Sequence, residues 1–150
     1  MDKKIFLAGI TVLVFFLLVA GCSQSQSSSS TSGSPATPST LSTPGPTQTL
    51  PSYWSIAVQV ASNGKAIDPQ IIMTLNGGQG MNLVEEIDMQ VTRTDGVVET
   101  SSLVQPLQEG QTITLPGTTG NNDRAEVWVI TPQGDRVKII DQYVPFRQYH

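Results

Sequence analysis

From Tyr53 onward, apolar residues recur at every second position in short runs broken by Gly, Pro, Asn and Asp. That pattern leaves room for little except antiparallel β-structure, because a period of two puts one face of a strand in a core and the other in water. Trp54, Ile56, Val58 and Val60 define one face of a first strand, with Ser55, Ala57 and Gln59 on the other, and Asn63-Gly64 reads as a turn. A second run, Gln70 to Leu75, lies between Pro69 and the loop Asn76-Gly77-Gly78-Gln79-Gly80. In a third, Leu83, Ile87, Met89 and Val91 share one face, and Glu86, Asp88, Gln90 and Thr92 the other. Asp95-Gly96 then predicts a hairpin to a return strand from Val97 to about Val104. A short strand, Gln111 to Leu115, ends at Pro116-Gly117, and Ala125 to Thr131 pairs with Arg136 to Tyr143 around Pro132-Gln133-Gly134-Asp135.

About seven strands at this spacing, with no helical period, predict an all-β domain: an antiparallel, immunoglobulin-like β-sandwich over residues 52–150, with a small Greek-key barrel as the alternative. The turn chemistry does not give the strand order.

The first third of the chain follows other rules. Lys3 and Lys4 precede an apolar stretch from Ile5 to Ala20 that ends in Val19-Ala20-Gly21-Cys22. This is the layout of a secretory signal peptide over residues 1–21. As a helix the apolar stretch would span roughly 24 Å, short of the roughly 30 Å hydrocarbon core of a bilayer. An uncleaved membrane anchor is the competing reading, and a type IV pilin leader is disfavoured because no Gly follows Lys4. Residues 22–51 are dominated by Ser, Thr, Pro and Gln, with no charge and almost nothing apolar except Ala36, Leu41 and Leu50. Such a segment cannot offset the entropy of ordering, so it is expected to be a disordered tether. Its composition is also that of O-glycosylated stalks, whereas no Asn is followed two positions later by Ser or Thr.

Val19-Ala20-Gly21-Cys22 resembles the lipobox of prokaryotic lipoproteins. The resemblance implies cleavage between Gly21 and Cys22, a thioether-linked diacylglyceryl group on Cys22, and location on the extracytoplasmic face of the cell membrane. Two acyl chains give stable anchoring where one gives only reversible binding. Cys22 is the single cysteine of the chain, which excludes an intramolecular disulfide. The stretch from Ile71 to Arg124, with its Leu-Asn-Gly-Gly, Thr-Asp-Gly and Leu115-Pro116-Gly117 motifs, resembles small exported β domains of archaea, methanogens in particular, found behind pilin-like or lipoprotein leaders. That resemblance implies an archaeal surface protein.

Charge narrows the partners. The net charge is -4, and loss of the leader with Lys3, Lys4 and Asp2 makes the remainder one unit more negative. The remaining cations, Lys65, Arg93, Arg124, Arg136, Lys138 and Arg147, are scattered along the chain, so nucleic acid is not an expected partner. The expected contacts are the membrane, through the lipid, and a protein or glycan at the cell surface.

No catalytic residue is assigned. The only histidine is His150, the final residue, which disfavours a nucleophile–His pair and a His/Cys zinc site. Glu85-Glu86-Ile87-Asp88 is the densest acidic cluster. Glu86 and Asp88 would share the solvent face of a strand, with Glu85 turned inward or marking a bulge. A small envelope hydrolase using Glu86 and Asp88 is the rival to a non-enzymatic binding or structural module; a solvated strand face is the plainer reading. Gly120-Asn121-Asn122-Asp123, with Asp95 or Asp135, offers oxygen ligands of the kind Ca²⁺ takes, but not at EF-hand spacing, and no metal or cofactor is assigned. The glycines of residues 76–80 lack the Lys-Ser/Thr ending of a phosphate loop and are read as turn glycines. Tyr53, Trp54 and Trp128 are expected in the core, with an exposed aromatic platform as the alternative.

Overall fold

In the computed structural model of the chain, residues 41–120 and 122–147 are described. The expected leader, and Gly21 and Cys22 as the expected cleavage and lipidation positions, lie outside the described residues. Seven strands follow one another: β1 Ala57–Ser62, β2 Gln70–Gly77, β3 Glu86–Thr92, β4 Val98–Val104, β5 Thr112–Pro116, β6 Asn122–Ile130 and β7 Arg136–Pro145. They form two separate antiparallel sheets, one of three strands in the order β1-β2-β5 and one of four in the order β4-β3-β6-β7. Two ladders with free ends make a sandwich, not a closed barrel. Among the described residues there is no α-helix, and none long and apolar enough to cross a membrane.

The period-two pattern is what the two inner faces use. Ile71, Met73 and Leu75 of β2 and Ile113 and Leu115 of β5 meet Ile87, Met89 and Val91 of β3 and Ala125, Val127 and Val129 of β6 in one buried cluster. Val84, Leu107 and Val144 belong to the same cluster. Burying a side chain of this size contributes roughly 1.5–3 kcal/mol each, before chain entropy is set against it.

Both expected hairpins form. Around Asp95-Gly96, Arg93 N–H donates to the Val97 carbonyl at 2.9 Å and Gly96 takes a φ of 85°. At the β6–β7 turn, Thr131 N–H donates to the Asp135 carbonyl at 3.0 Å and Gly134 N–H to the Thr131 carbonyl at 2.8 Å.

Three local expectations are corrected. The first strand starts at Ala57 and not at Trp54, because Ser52–Trp54 form a 3₁₀ turn. The cause lies in the 76–80 loop, which folds back so closely that a Cβ on Gly80 would stand 2.4 Å from the Trp54 carbonyl oxygen, and one on Gly78 2.2 Å from that of Ser55. Leu83 is the second correction: a 3₁₀ turn over Gln79–Asn82 shifts the phase, so that Val84 is buried and Leu83 is 47% exposed. Third, Glu85 is exposed, while its backbone bonds to Ile130 on one side and Gln105 on the other.

Residues 41–51 carry no regular secondary structure, yet they lie against β7. Gln48 N–H donates to the Lys138 carbonyl at 2.8 Å, Gly45 N–H to the Asp141 carboxylate at 2.9 Å, and Leu50 packs against the core.

Candidate functional site

The outward face of the four-stranded sheet collects the densest set of polar side chains around one aromatic ring. Along β6, Arg124, Glu126 and Trp128 alternate with buried Ala125 and Val127. Their neighbours on β3 are Thr92, Gln90 and Asp88, in register with Arg124, Glu126 and Trp128. On β7 a bulge intervenes: Val127 pairs with Ile140 but Trp128 pairs with Lys138, so Ile139 is the extra residue. A one-residue insertion reverses the facing of all that follows. Lys138 and Asp141, which strict alternation would place on opposite faces, therefore stand on the same one.

The resulting cluster is charge-balanced. Arg124 donates from Nε to Asp141 Oδ1 at 2.8 Å and from Nη2 to Asp141 Oδ2 at 2.7 Å, and Nη2 also reaches Glu126 Oε1 at 3.1 Å. Lys138 Nζ donates to Glu126 Oε1 at 2.5 Å and to Asp141 Oδ2 at 2.9 Å. Gln90 Nε2 completes the set by donating to Glu126 Oε2 at 3.2 Å. The Arg124 guanidinium, with Lys138 and the Gly45 N–H, holds the Asp141 carboxyl well below the usual carboxylate range against the opposing effect of burial. Reciprocally, Asp141 raises Arg124, and Glu126 followed by Asp141 raises Lys138. Arg124, Lys138 and Asp141 thereby hold one another in their charged forms.

Trp128 is not a core residue. Its ring lies on this outer face beneath the Arg136 guanidinium, 4.0 Å from the ring centre, with Lys138 Nζ at 5.3 Å. Arg136 Nε in turn donates to Asp88 Oδ2 at 3.0 Å. Glu86 and Asp88 do share the outer face, as their spacing requires, and both are half-buried. Beside them runs a shallow, open trough of about 410 Å³ lined by Asp88, Gln90, Thr100, Ser102 and Arg136. Its lining is mostly polar, with one anion, Asp88, and one cation, Arg136.

The loop carboxylates take a different role. Asp123 is 1% exposed and accepts hydrogen bonds from Thr94 N–H at 3.1 Å, Thr118 Oγ1 at 2.6 Å and Thr118 N–H at 2.6 Å. Both of its oxygens are engaged in tying the β3–β4 turn to the β5–β6 loop. Asp95 pairs with Arg93 at 2.6 Å. Among the described residues no group of three or more His, Cys, Asp or Glu side chains is arranged to hold a metal ion. Asn121 lies outside the described residues. Tyr53 is exposed and meets Trp54 edge-on at 4.8 Å, while Trp54 packs against the core.

Comparison with protein-family profiles, with curated proteins and with solved structures finds no match to this chain.

Proposed function

We propose that this chain is a cell-surface lipoprotein, anchored through Cys22, that presents an immunoglobulin-like sandwich for binding a protein or glycan partner or for a structural role in the envelope. The observation that carries the anchoring is the run Val19-Ala20-Gly21-Cys22 directly after an apolar core, with its cysteine the only one in the chain. A lone thiol at that position is accounted for by acylation, and the Ser/Thr/Pro-rich stretch between it and the segment held on β7 supplies reach: roughly 25 Å as a coil to roughly 60 Å as extended polyproline II.

Support for the immunoglobulin-like reading comes from the strand order. Taken in sequence as A, B, C, C′, E, F and G, the strands form sheets A-B-E and C′-C-F-G, so the fourth strand lies on the C-F-G sheet. Support for binding comes from the outer C′-C-F-G face, where Trp128, Arg136, Asp88 and the Arg124 cluster form a pre-ordered polar surface beside an open trough. Groups already held in place lose little freedom when a ligand arrives.

Mass spectrometry of the membrane-extracted protein, beside a Cys22→Ser variant, tests the anchoring. A diacylglyceryl mass on an amino-terminal Cys22 is expected, together with its absence and retention of the leader in the variant. An unmodified Cys22 behind an intact Met1 terminus would overturn the reading.

A further inference from the structure

The strand edges of the two sheets are treated unequally. On β7 the outer edge is covered by the 42–48 segment through the Gln48–Lys138 bond, and the strand carries a bulge and several charges. β5 is short and ends on Pro116, and β1 is bonded from outside by Gln142 Nε2, which donates to the Val60 carbonyl at 3.5 Å. These are the usual protections of a sheet edge.

β4 has only one of them, the inward-pointing charge of Glu99. It ends the four-stranded order, pairs with β3 alone without a register shift, contains no proline, and has Glu99 as its one charge. At its two ends the Val97 carbonyl and the Gln105 N–H bond to β3, so the odd positions between them do the same. Val98, Thr100, Ser102 and Val104 therefore turn their N–H and C=O groups to the free side. Their side chains stand on the outer face, where Val98 is 53% and Val104 61% exposed. Two β-branched apolar residues at the ends of so lightly protected an edge call for a partner strand.

We propose that the partner is a second copy of this chain, with β4 pairing antiparallel to its own mate about a two-fold axis at Ser101. The strand is self-complementary in this register. Val98 meets the mate's Val104 at each end, Thr100 meets Ser102, Ser101 meets Ser101, and Glu99 faces Leu103, so no like charges are opposed. The hydrogen-bonding positions are also in phase, since every even residue meets an even residue, giving about eight new backbone bonds. Registers displaced by two residues keep the phase but separate the valines and shorten the ladder. The product is a continuous eight-stranded sheet with the two polar troughs side by side, an isologous contact that closes on itself. This pairing does not depend on how the chain is anchored.

Cross-linking of the full-length chain in detergent tests it. The axis position is a non-hydrogen-bonded pair, with Cα atoms about 4.5 Å apart, within disulfide reach. Under copper-phenanthroline oxidation Ser101→Cys should give a covalent dimer well above the wild-type background from Cys22. Glu99→Cys alone should not, and Glu99→Cys combined with Leu103→Cys should restore it. Sedimentation should show a dimer for the wild-type chain and roughly a tenfold or greater loss of it for Val98→Lys/Val104→Lys, with Thr100→Lys as a second edge variant and circular dichroism confirming that each folds. A wild-type chain that stays monomeric, as it would if the edge served another protein's strand, overturns the proposal. Equal cross-linking of Ser101→Cys and Glu99→Cys does so too.

Discussion

Arg124 and Asp141 meet through two parallel hydrogen bonds, at 2.8 and 2.7 Å, across the β6–β7 ladder, and the Asp141 side chain is wholly shielded from solvent. Folding thus lowers the proton affinity of Asp141, so in acid the unfolded chain binds more protons than the native one and stability falls with pH. The unfolded carboxyl titrates near pH 3.9. The contribution is therefore complete above about pH 5, begins to fade below about pH 4, and disappears only as the pH passes the still lower native value. Asp141→Asn should cost about 3 kcal/mol near neutrality, because it leaves two cations facing a single carboxylate. Urea titrations of both forms from pH 7 to pH 2.5 should show that difference shrink in acid. A constant difference would mean that Asp141 acts through packing and not through its charge.

Asp123 is expected to matter as much for a different reason. Its carboxylate is the common acceptor for Thr94 N–H, Thr118 N–H and the Thr118 hydroxyl, and replacing it strands donors in a buried place. Asp123→Ala should destabilise the domain by about 2–4 kcal/mol, and Thr118→Val, which removes one of the three bonds, by about 1 kcal/mol. Denaturant unfolding gives the magnitudes. Amide exchange should show Thr94 and Thr118 losing protection before the strands do, and uniform loss across both sheets would contradict this local role.

The two aspartates differ in how far the sequence announces them. Asp123 lies on the inward phase set by Ala125, Val127 and Val129, but Gly120 to Asp123 reads as a polar turn, and that parity applies to Asp123 only because the strand begins at Asn122. Asp141 could not be placed that way, since its facing depends on a bulge at Ile139 that interrupts an otherwise acceptable alternation. β2, β3, β5 and β6 were legible because each buries one face, whereas β4, which has no buried residue, was legible through the Asp95-Gly96 turn that precedes it. Their order was not, because pairing across β2–β5 and β3–β6 is decided by long-range packing that leaves no local mark. The 42–50 segment escaped for a similar reason: its composition predicts disorder, and what holds it is chiefly backbone N–H groups, which every residue except proline possesses.

The glycines of the 76–80 loop should prove far less replaceable than those in the open turns. A Cβ on Gly80 would collide with the backbone of Trp54, and Gly78 combines such a collision with a φ of 134°. Gly80→Ala and Gly78→Ala should each cost more than about 3 kcal/mol or displace the Ser52–Trp54 turn, with a change in Trp54 fluorescence. Gly134→Ala, with φ at 83° and open space around it, should cost only about 1 kcal/mol. Thermal unfolding of the three variants side by side checks the ranking.

A chain shortened to begin at Ser52 retains every strand, so it should still fold as a β domain. It should nonetheless be less stable than one beginning at Ala36, because it loses the Gly45 N–H on Asp141, the Gln48 bond to β7 and the Leu50 contact with the core. Those losses amount to about 1–3 kcal/mol, or a fall in Tm of several degrees for a domain of this size. Pairing the truncation with Asp141→Asn separates the contributions. If Gly45 acts mainly by donating to Asp141, the two changes together should cost less than the sum of each alone. Strict additivity would show that the segment stabilises the domain through Leu50 and the β7 edge alone.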